Sequence, residues 1–304
     1  MISIQQMQYI LVLSEEKQFQ RASEKCFVTQ PTLSMQLKKA ENTLGGAIFD
    51  RSTTPLELTP FGKLLLPIVR DILSEYGRIA ELTDKQKGVY KERLRIGIIP
   101  TVADYMVPDL FNSWKSALLD VQLTIEEMKT EDLLVALDQK KIDLGILAGP
   151  VSNPKLRTSV LFDEEILAFV PESKATEITT EDLGNYHPWL LTSGNCLRTQ
   201  MIHFCELNRE TDDWNYEGGN MNILKQMVEM NGGYTLIPER SVSEMTIDYK
   251  RIRSAIGEIP ARQIIALSPN RSSKWGSIEQ IVRSVQLLYM NKKNINDLKL
   301  LSWD

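Results

Sequence analysis

Apolar residues recur at helical spacing through the first third of the chain and alternate at strand spacing after it. Ile4, Met7, Ile10 and Leu11 follow three- and four-residue steps, which predicts an opening helix. A second helix is predicted over about 18–25 and a third over about 30–42, stopped by Gly45-Gly46. The stretch from Phe49 to Leu58 is short and turn-rich, as a small β wing would be. Thr59-Pro60 reads as an N-cap followed by proline at the first helical position. Leu65, Ile68, Ile72, Tyr76, Ile79 and Leu82 then make one apolar stripe on a charged background, predicting a long helix over 59–90. Pro67 costs that helix one backbone bond and is expected to bend its first turns. The stripe suits packing onto its own domain. A helix–helix dimer seam is the stronger expectation, because so long a helix bridges two different regions.

Beyond residue 90 strands and helices take turns. Leu94–Ile99, Val121–Ile125 and Ile142–Leu147 read as strands, separated by helices over Ala103–Ala117 and Glu131–Gln139. This is a βαβαβ unit. A second series follows: a strand over Ile166–Val170, another over Trp189–Thr192, a helix from Cys196, a helix over about Asn220–Met230 and a strand over Tyr234–Ile237. The expected fold class is α plus α/β. A winged helix-turn-helix occupies 1–58, a linker helix 59–90 and a two-lobed α/β domain 91–304. Lobe I is expected over about 91–163 plus 267–304 and lobe II over about 164–266. Clefts between such lobes, at the carboxyl ends of strands, are where small molecules bind.

Composition narrows the function. A net charge of −5 argues against nucleic-acid binding by bulk charge and leaves room for a local basic patch. No apolar run of about 20 residues and no signal-like start are visible, so a cytoplasmic protein without a membrane partner is expected. With two histidines and three cysteines at no zinc spacing, neither a metal nor another cofactor is expected.

Two stretches carry candidate chemistry. In the first, residues 28–40 hold Lys38 and Lys39 but no acid. Thr29, Gln30, Thr32, Ser34 and Gln36 suit hydrogen bonds to base edges or phosphates; Lys38 and Arg51 suit the phosphate backbone; Gln30-Pro31 opens the helix. In the second, Cys196 and Cys205 stand nine positions apart. If that segment is helical, the Cα atoms are roughly 13–14 Å apart, while a disulfide needs about 4.4–6.8 Å. Any bond between these thiols therefore breaks local structure. In a cytoplasmic protein it would be transient and regulatory. Gly194-Asn195 are plausible capping residues, which would put Cys196 in the first turn, where the helix dipole favours a thiolate. Thr101 and Thr130 are available to cap the helices that follow them, and Cys26 is expected in the core.

The segments Phe19–Ser23, Val28–Leu37, Leu44-Gly45, Ile48–Arg51 and Leu58–Gly62 together resemble the winged helix-turn-helix of LysR-type transcriptional regulators. The resemblance extends over the whole chain. It implies a homodimer or homotetramer that binds and bends double-stranded promoter DNA and contacts RNA polymerase when activated, not an enzyme. Within the family, Cys196-Leu197-Arg198, Gln200 and Phe204-Cys205 resemble the hydrogen peroxide-sensing branch, as do Ile99–Thr101, Leu161–Glu164, Leu236–Pro238 and Arg262. That likeness implies an activator of oxidative-stress genes in which Cys196 attacks hydrogen peroxide and Cys205 resolves it to a disulfide. It implies a peroxide pocket of Thr101, Thr130, Gly194, Asn195, Arg198 and Arg262, with the two arginines lowering the thiol pKa. A glutaredoxin- or thioredoxin-type reductant would reset the switch. The alternative is a family member that senses an organic metabolite in the interlobe cleft. One departure stands out: Asn195 sits where that branch carries histidine. An amide hydrogen-bonds peroxide but does not shuttle a proton.

Overall fold

The computed structural model describes residues 1–86, 91–205, 216, 218–290 and 298–301. They form two compact units, 1–91 and 92–304.

The first unit opens with α1 (Ile4–Glu16), α2 (Phe19–Lys25) and α3 (Gln30–Leu44). Ser3 and Gln6 close a reciprocal capping box at the start of α1, an arrangement that satisfies two otherwise orphaned backbone donors. Thr29 caps α3, proline stands in its first turn, and Gly45 ends it at φ +76°. A two-stranded antiparallel wing follows, β1 (Phe49–Asp50) and β2 (Glu57–Leu58), then α4 (Pro60–Gln86). Ile10, Leu13, Ala22, Leu33, Leu37, Ala40 and Ile48 fill the core. Gly62 is needed where it is: a Cβ there would lie 2.1 Å from the Ile48 carbonyl oxygen. Helix α4 continues through Pro67; its expected last residues, 87–90, lie outside the described residues. The apolar stripe divides. Leu65 packs on the helix-turn-helix core, whereas Ile68, Ile72, Tyr76, Ile79 and Leu82 are exposed.

The second unit contains β3 (Glu92–Ile98), α5 (Pro100–Ala117), β4 (Val121–Glu127), α6 (Thr130–Asp138) and β5 (Leu144–Ala148). The three strands are parallel, in the order β4-β3-β5, as the βαβαβ pattern requires. Two long antiparallel strands follow the sequence pattern less obviously: β6 (Leu156–Phe169) and, much later, β10 (Ile259–Pro269). Between them come β7 (Glu177–Thr179), α7 (Thr180–Leu183), α8 (Cys196–Phe204), α9 (Met221–Asn231), β8 (Thr235–Pro238) and β9 (Tyr249–Arg253); α10 (Trp275–Tyr289) and β11 (Leu298–Leu300) end the described chain elements. Strand β6 runs from one apolar core to the other, with β10 paired alongside it. Phe162 and Ile264–Leu267 belong to the first core, Ile166–Phe169 to the second. The unit is thus two α/β lobes joined through β6.

One expectation is corrected. Among the described residues Trp189–Thr192 is not a strand: it makes only isolated bridges, Pro188 to Tyr234 and Leu191 to Gly218. Pro188 has no N–H to donate, and the turn at Ser193–Asn195 ends the run. Strand β11 pairs with Ile259–Ala261, inside the range expected for lobe II. The ends of that expected lobe I range, 291–297 and 302–304, lie outside the described residues.

Candidate functional site

Helix α8 begins at Cys196, and Cys205 is its C-cap. All three cysteines are free. Nine steps of about 1.5 Å separate Cys196 from Cys205, or roughly 13–14 Å between Cα atoms, too far for a disulfide in this conformation.

The approach to α8 is held from three sides. Lys129 Nζ donates to the Ser193 carbonyl at 2.9 Å, and Arg198 Nη1 donates to the Leu191 carbonyl at 2.7 Å. Gly194 adopts φ +86°, which favours glycine, and a Cβ there would meet the Lys129 side chain at 3.1 Å. Asn195 occupies the N-cap position, but its side chain does not cap. Its amide donates instead to the Thr192 carbonyl at 3.0 Å, folding it back onto the preceding turn. The expected capping role of Asn195 is therefore corrected.

Cys196 is buried in the lobe I core, whereas Leu197 and Met201 of the same helix belong to the lobe II core. Arg262 lies within electrostatic range of Cys196. This guanidinium is fully buried. It donates from Nε to Glu164 Oε1 at 2.8 Å, from Nη1 to Thr101 Oγ1 at 2.8 Å and from Nη2 to the Thr101 carbonyl at 3.0 Å. Tyr105 donates its hydroxyl to the same Glu164 oxygen at 3.0 Å. Burial, the largest single influence, disfavours the Arg262 charge, but Glu164 together with Tyr105 and Cys196 more than offsets it and the Arg262 pKa rises. Burial first, then the Glu164 charge, holds the Tyr105 hydroxyl well above its ordinary range.

Neither threonine caps its helix. The N-cap positions are Ile99 and Lys129, and neither side chain makes a capping hydrogen bond to its helix. Thr101 receives Arg262, while the Thr130 hydroxyl is buried with no hydrogen-bond partner among the described residues. A buried, unclaimed hydroxyl is costly unless something else uses it. Thr101, Cys196 and Arg262 thus come together around one buried network. Gly194, Asn195 and Arg198 shape the turn that delivers Cys196.

At the other end of α8, burial pushes the Cys205 thiol up to about 12, with the Tyr234 hydroxyl pulling the other way. Cys26 is half-buried against the first unit's core, and burial raises its thiol also. A cleft of about 220 Å³ opens between the starts of α5 and α9, lined by Thr101, Asp104, Glu127, Asn220 and Asn222 among others.

On α3, Gln30 and Lys38 are exposed and Ser34 is half-buried. Thr29 and Thr32 bond each other at 2.8 Å, and Gln36 accepts from Gln6 at 3.2 Å. Gln36, expected to be exposed, is therefore partly committed to α1. Arg51 pairs with Glu41 at 3.1 Å and lies over the Phe19 ring.

A model of bacterial regulatory helix-turn-helix proteins of the lysR family matches residues 4–63, and the LysR substrate binding domain matches residues 87–274. The chain belongs to the LysR family. It is a DNA-binding transcriptional regulator, not an enzyme. This LysR-family chain is 29% identical over 305 residues to the hydrogen peroxide-inducible genes activator of Dickeya chrysanthemi, covering 96% of this chain and 98% of that one. It is 30% identical over 245 residues to the DNA-binding transcriptional dual regulator OxyR of Escherichia coli K12, covering 79% and 80%. Among solved structures, a full-length OxyR variant from Pseudomonas aeruginosa superimposes with a TM-score of 0.72 at 27% identity, over 94% of this chain and 95% of that one. No helix among the described residues is long and apolar enough to cross a membrane.

Four residues of the LysR-type sensor unit went unremarked as individual roles in the sequence: Glu164, Tyr105, Lys129 and Tyr234. Glu164 stands within a motif, but nothing local marks it as the buried counter-ion of a residue 98 positions away.

Proposed function

We propose that this regulator senses hydrogen peroxide and activates oxidative-stress genes through a reversible Cys196–Cys205 disulfide. One observation carries the reading: α8 has its first residue in one lobe's core and its next turns in the other's, with the Arg262–Thr101 network beside Cys196. The names of its relatives support it.

The Cys196 thiolate attacks one peroxide oxygen. The O–O bond breaks, the sulfur becomes a sulfenic acid, and the second oxygen leaves as water after taking up a proton. In this reading Thr101 and Thr130 hold the peroxide, and Arg262 stabilises the charge on the departing oxygen. Cys205 then attacks the sulfenic sulfur, forming the disulfide and releasing a second water. Bringing the sulfurs together unwinds 197–204 and withdraws Leu197 and Met201 from the lobe II core. A packed element with two arrangements can reset a subunit interface. The exposed stripe of α4 pairs with a second copy, so that a dimer or tetramer presents two or four α3 helices to promoter DNA. RNA polymerase and a thiol reductant of the glutaredoxin or thioredoxin class complete the cycle.

Peptide mass mapping after one equivalent of peroxide tests this. The expected product is a 196–205 crosslink; its absence, with the thiols intact, would sink the proposal. The 220 Å³ cleft favours a second reading, an organic effector bound between the lobes. Under it, Cys196→Ser and Cys205→Ser leave induction intact.

A further inference from the structure

Gln200 stands in the middle of α8, between the two cysteines, and its side chain is wholly buried. Its Nε2 donates to the Leu301 carbonyl at 3.0 Å, across 101 positions of sequence. Leu301 is itself buried, and its N–H donates to the Ala261 carbonyl at 2.8 Å. It directly follows β11, which pairs in parallel with Ile259–Ala261 at the start of β10. One amide thus ties the segment between the thiols to a strand far along the chain.

That strand has few other holds. Its ladder on β10 covers three residue pairs. Lys299 pairs with Glu258 at 2.9 Å, but the two side chains are 50% and 34% exposed, and a surface pair of this kind contributes little. Gln200 Oε1 is buried with no hydrogen-bond partner among the described residues, a cost that offsets part of what the Nε2 bond contributes. Strand β11 is therefore held closely but not strongly. A cavity of about 680 Å³ opens beside the contact, lined by His203, Phe204, Cys205, Ile256 and Leu300 among others, so the last turn of α8 has room to move.

We infer that Gln200 couples the redox segment to β11: closing the Cys196–Cys205 disulfide withdraws the amide from Leu301 and releases residues 298–301 from β10. This rests on the peroxide reading above. The Cα atoms of the cysteines must come from roughly 13–14 Å apart to about 4.4–6.8 Å, and Gln200, between them, then has no helical place to keep. Unwinding brings its side chain to water, which hydrates the orphaned Oε1 and takes the donor from the Leu301 carbonyl. The coupling is reciprocal: a docked β11 opposes the disulfide by the factor with which the disulfide opposes docking. Release also bares the edge of β10 at Ile259–Ala261, immediately before Arg262.

Hydrogen exchange of the full-length chain, read by mass on a peptide containing 298–301, tests this. After one equivalent of peroxide, that peptide should exchange at least about tenfold faster in the disulfide form than in the reduced chain. In Cys205→Ser, where peroxide takes Cys196 no further than the sulfenic acid, it should stay protected. Leu301→Ala loosens the strand without altering α8. Against a thiol–disulfide buffer it should shift the equilibrium about three- to tenfold toward the disulfide, with sulfenic acid appearance at Cys196 unchanged. In a Gln200→Ala background the same substitution should shift it no further, because the amide is the link. Equal protection of 298–301 in the reduced and disulfide forms overturns the coupling and leaves the peroxide reading standing. So does an equilibrium that Leu301→Ala leaves unmoved, or moves equally without Gln200. A parent chain that forms no 196–205 disulfide overturns the peroxide reading, and this inference with it.

Discussion

The Arg262 guanidinium and the Glu164 carboxylate meet at 2.8 Å with both side chains wholly withdrawn from water. Removing one partner of a buried pair leaves an uncompensated charge and costs about 3–5 kcal/mol. Glu164→Gln keeps the shape and the hydrogen bonds but removes the charge that holds Arg262 in place. The expected outcome is a lower melting temperature together with slower oxidation of Cys196 by peroxide. Calorimetry and stopped-flow oxidation check the two parts; a destabilised chain that oxidises at the parent rate would separate Arg262 from the chemistry.

Lys38 is exposed on α3, whereas Arg51 is already shared with Glu41. A phosphate contact contributes to affinity through counterion release. Lys38→Ala should weaken operator binding and lower the slope of log affinity against log salt by about 1. Arg51→Ala should change the slope less. Titrations at several salt concentrations decide it, and an unchanged slope for Lys38→Ala would remove that residue from the interface.

Ile72 and Ile79 stand exposed on α4, seven residues apart and so on one face of the helix. If a second copy covers them, Ile72→Glu with Ile79→Glu places charges in an apolar seam. The expected result is dissociation to a smaller species by light scattering and at least tenfold weaker operator binding, with the peroxide reaction of Cys196 unchanged. An unaltered mass would show that the seam lies elsewhere.

Burial raises the Cys205 thiol from 9.0 to about 12. A group whose folded pKa lies above its unfolded value stabilises the fold fully below the unfolded pKa, and that contribution is lost as pH rises through the folded value. The reduced chain should thus lose stability between about pH 9 and 12, in part through Cys205. Cys205→Ala removes this contribution, so its stability deficit relative to the parent should shrink as pH rises through that window. Denaturant unfolding of both reduced chains across the range measures it; a constant or growing deficit would refute the assignment.

Much of the candidate site was legible because it depends on local pattern. Thr29, Gln30-Pro31 and Gly45 mark the ends of α3 by backbone requirements that hold wherever those residue types occur. Positions 196–205 form a helix and its cap, and the thiol separation follows from helical rise alone. The roles of Asn195, Thr101 and Thr130 were less legible. Each stands where a side-chain cap is plausible, yet Asn195 turns back to Thr192, Thr101 is taken by Arg262, and Thr130 is left unclaimed. Capping competes with whatever else the fold brings near, and that competitor is distant in sequence.

Domain order, the helix-turn-helix, the alternating α/β pattern and the spacing of the two thiols all follow from the order of residues, since they rest on periodicity and on chain geometry between near neighbours. The folded chain was needed to assign Cys196 to one lobe's core and Leu197, its neighbour, to the other's. It was needed also to pair Glu164 with Arg262 and to pack Cys205 against the lobe II core. The reason is physical. Burial and electrostatic coupling depend on which surfaces the long strands β6 and β10 bring together, and no local spacing encodes that meeting.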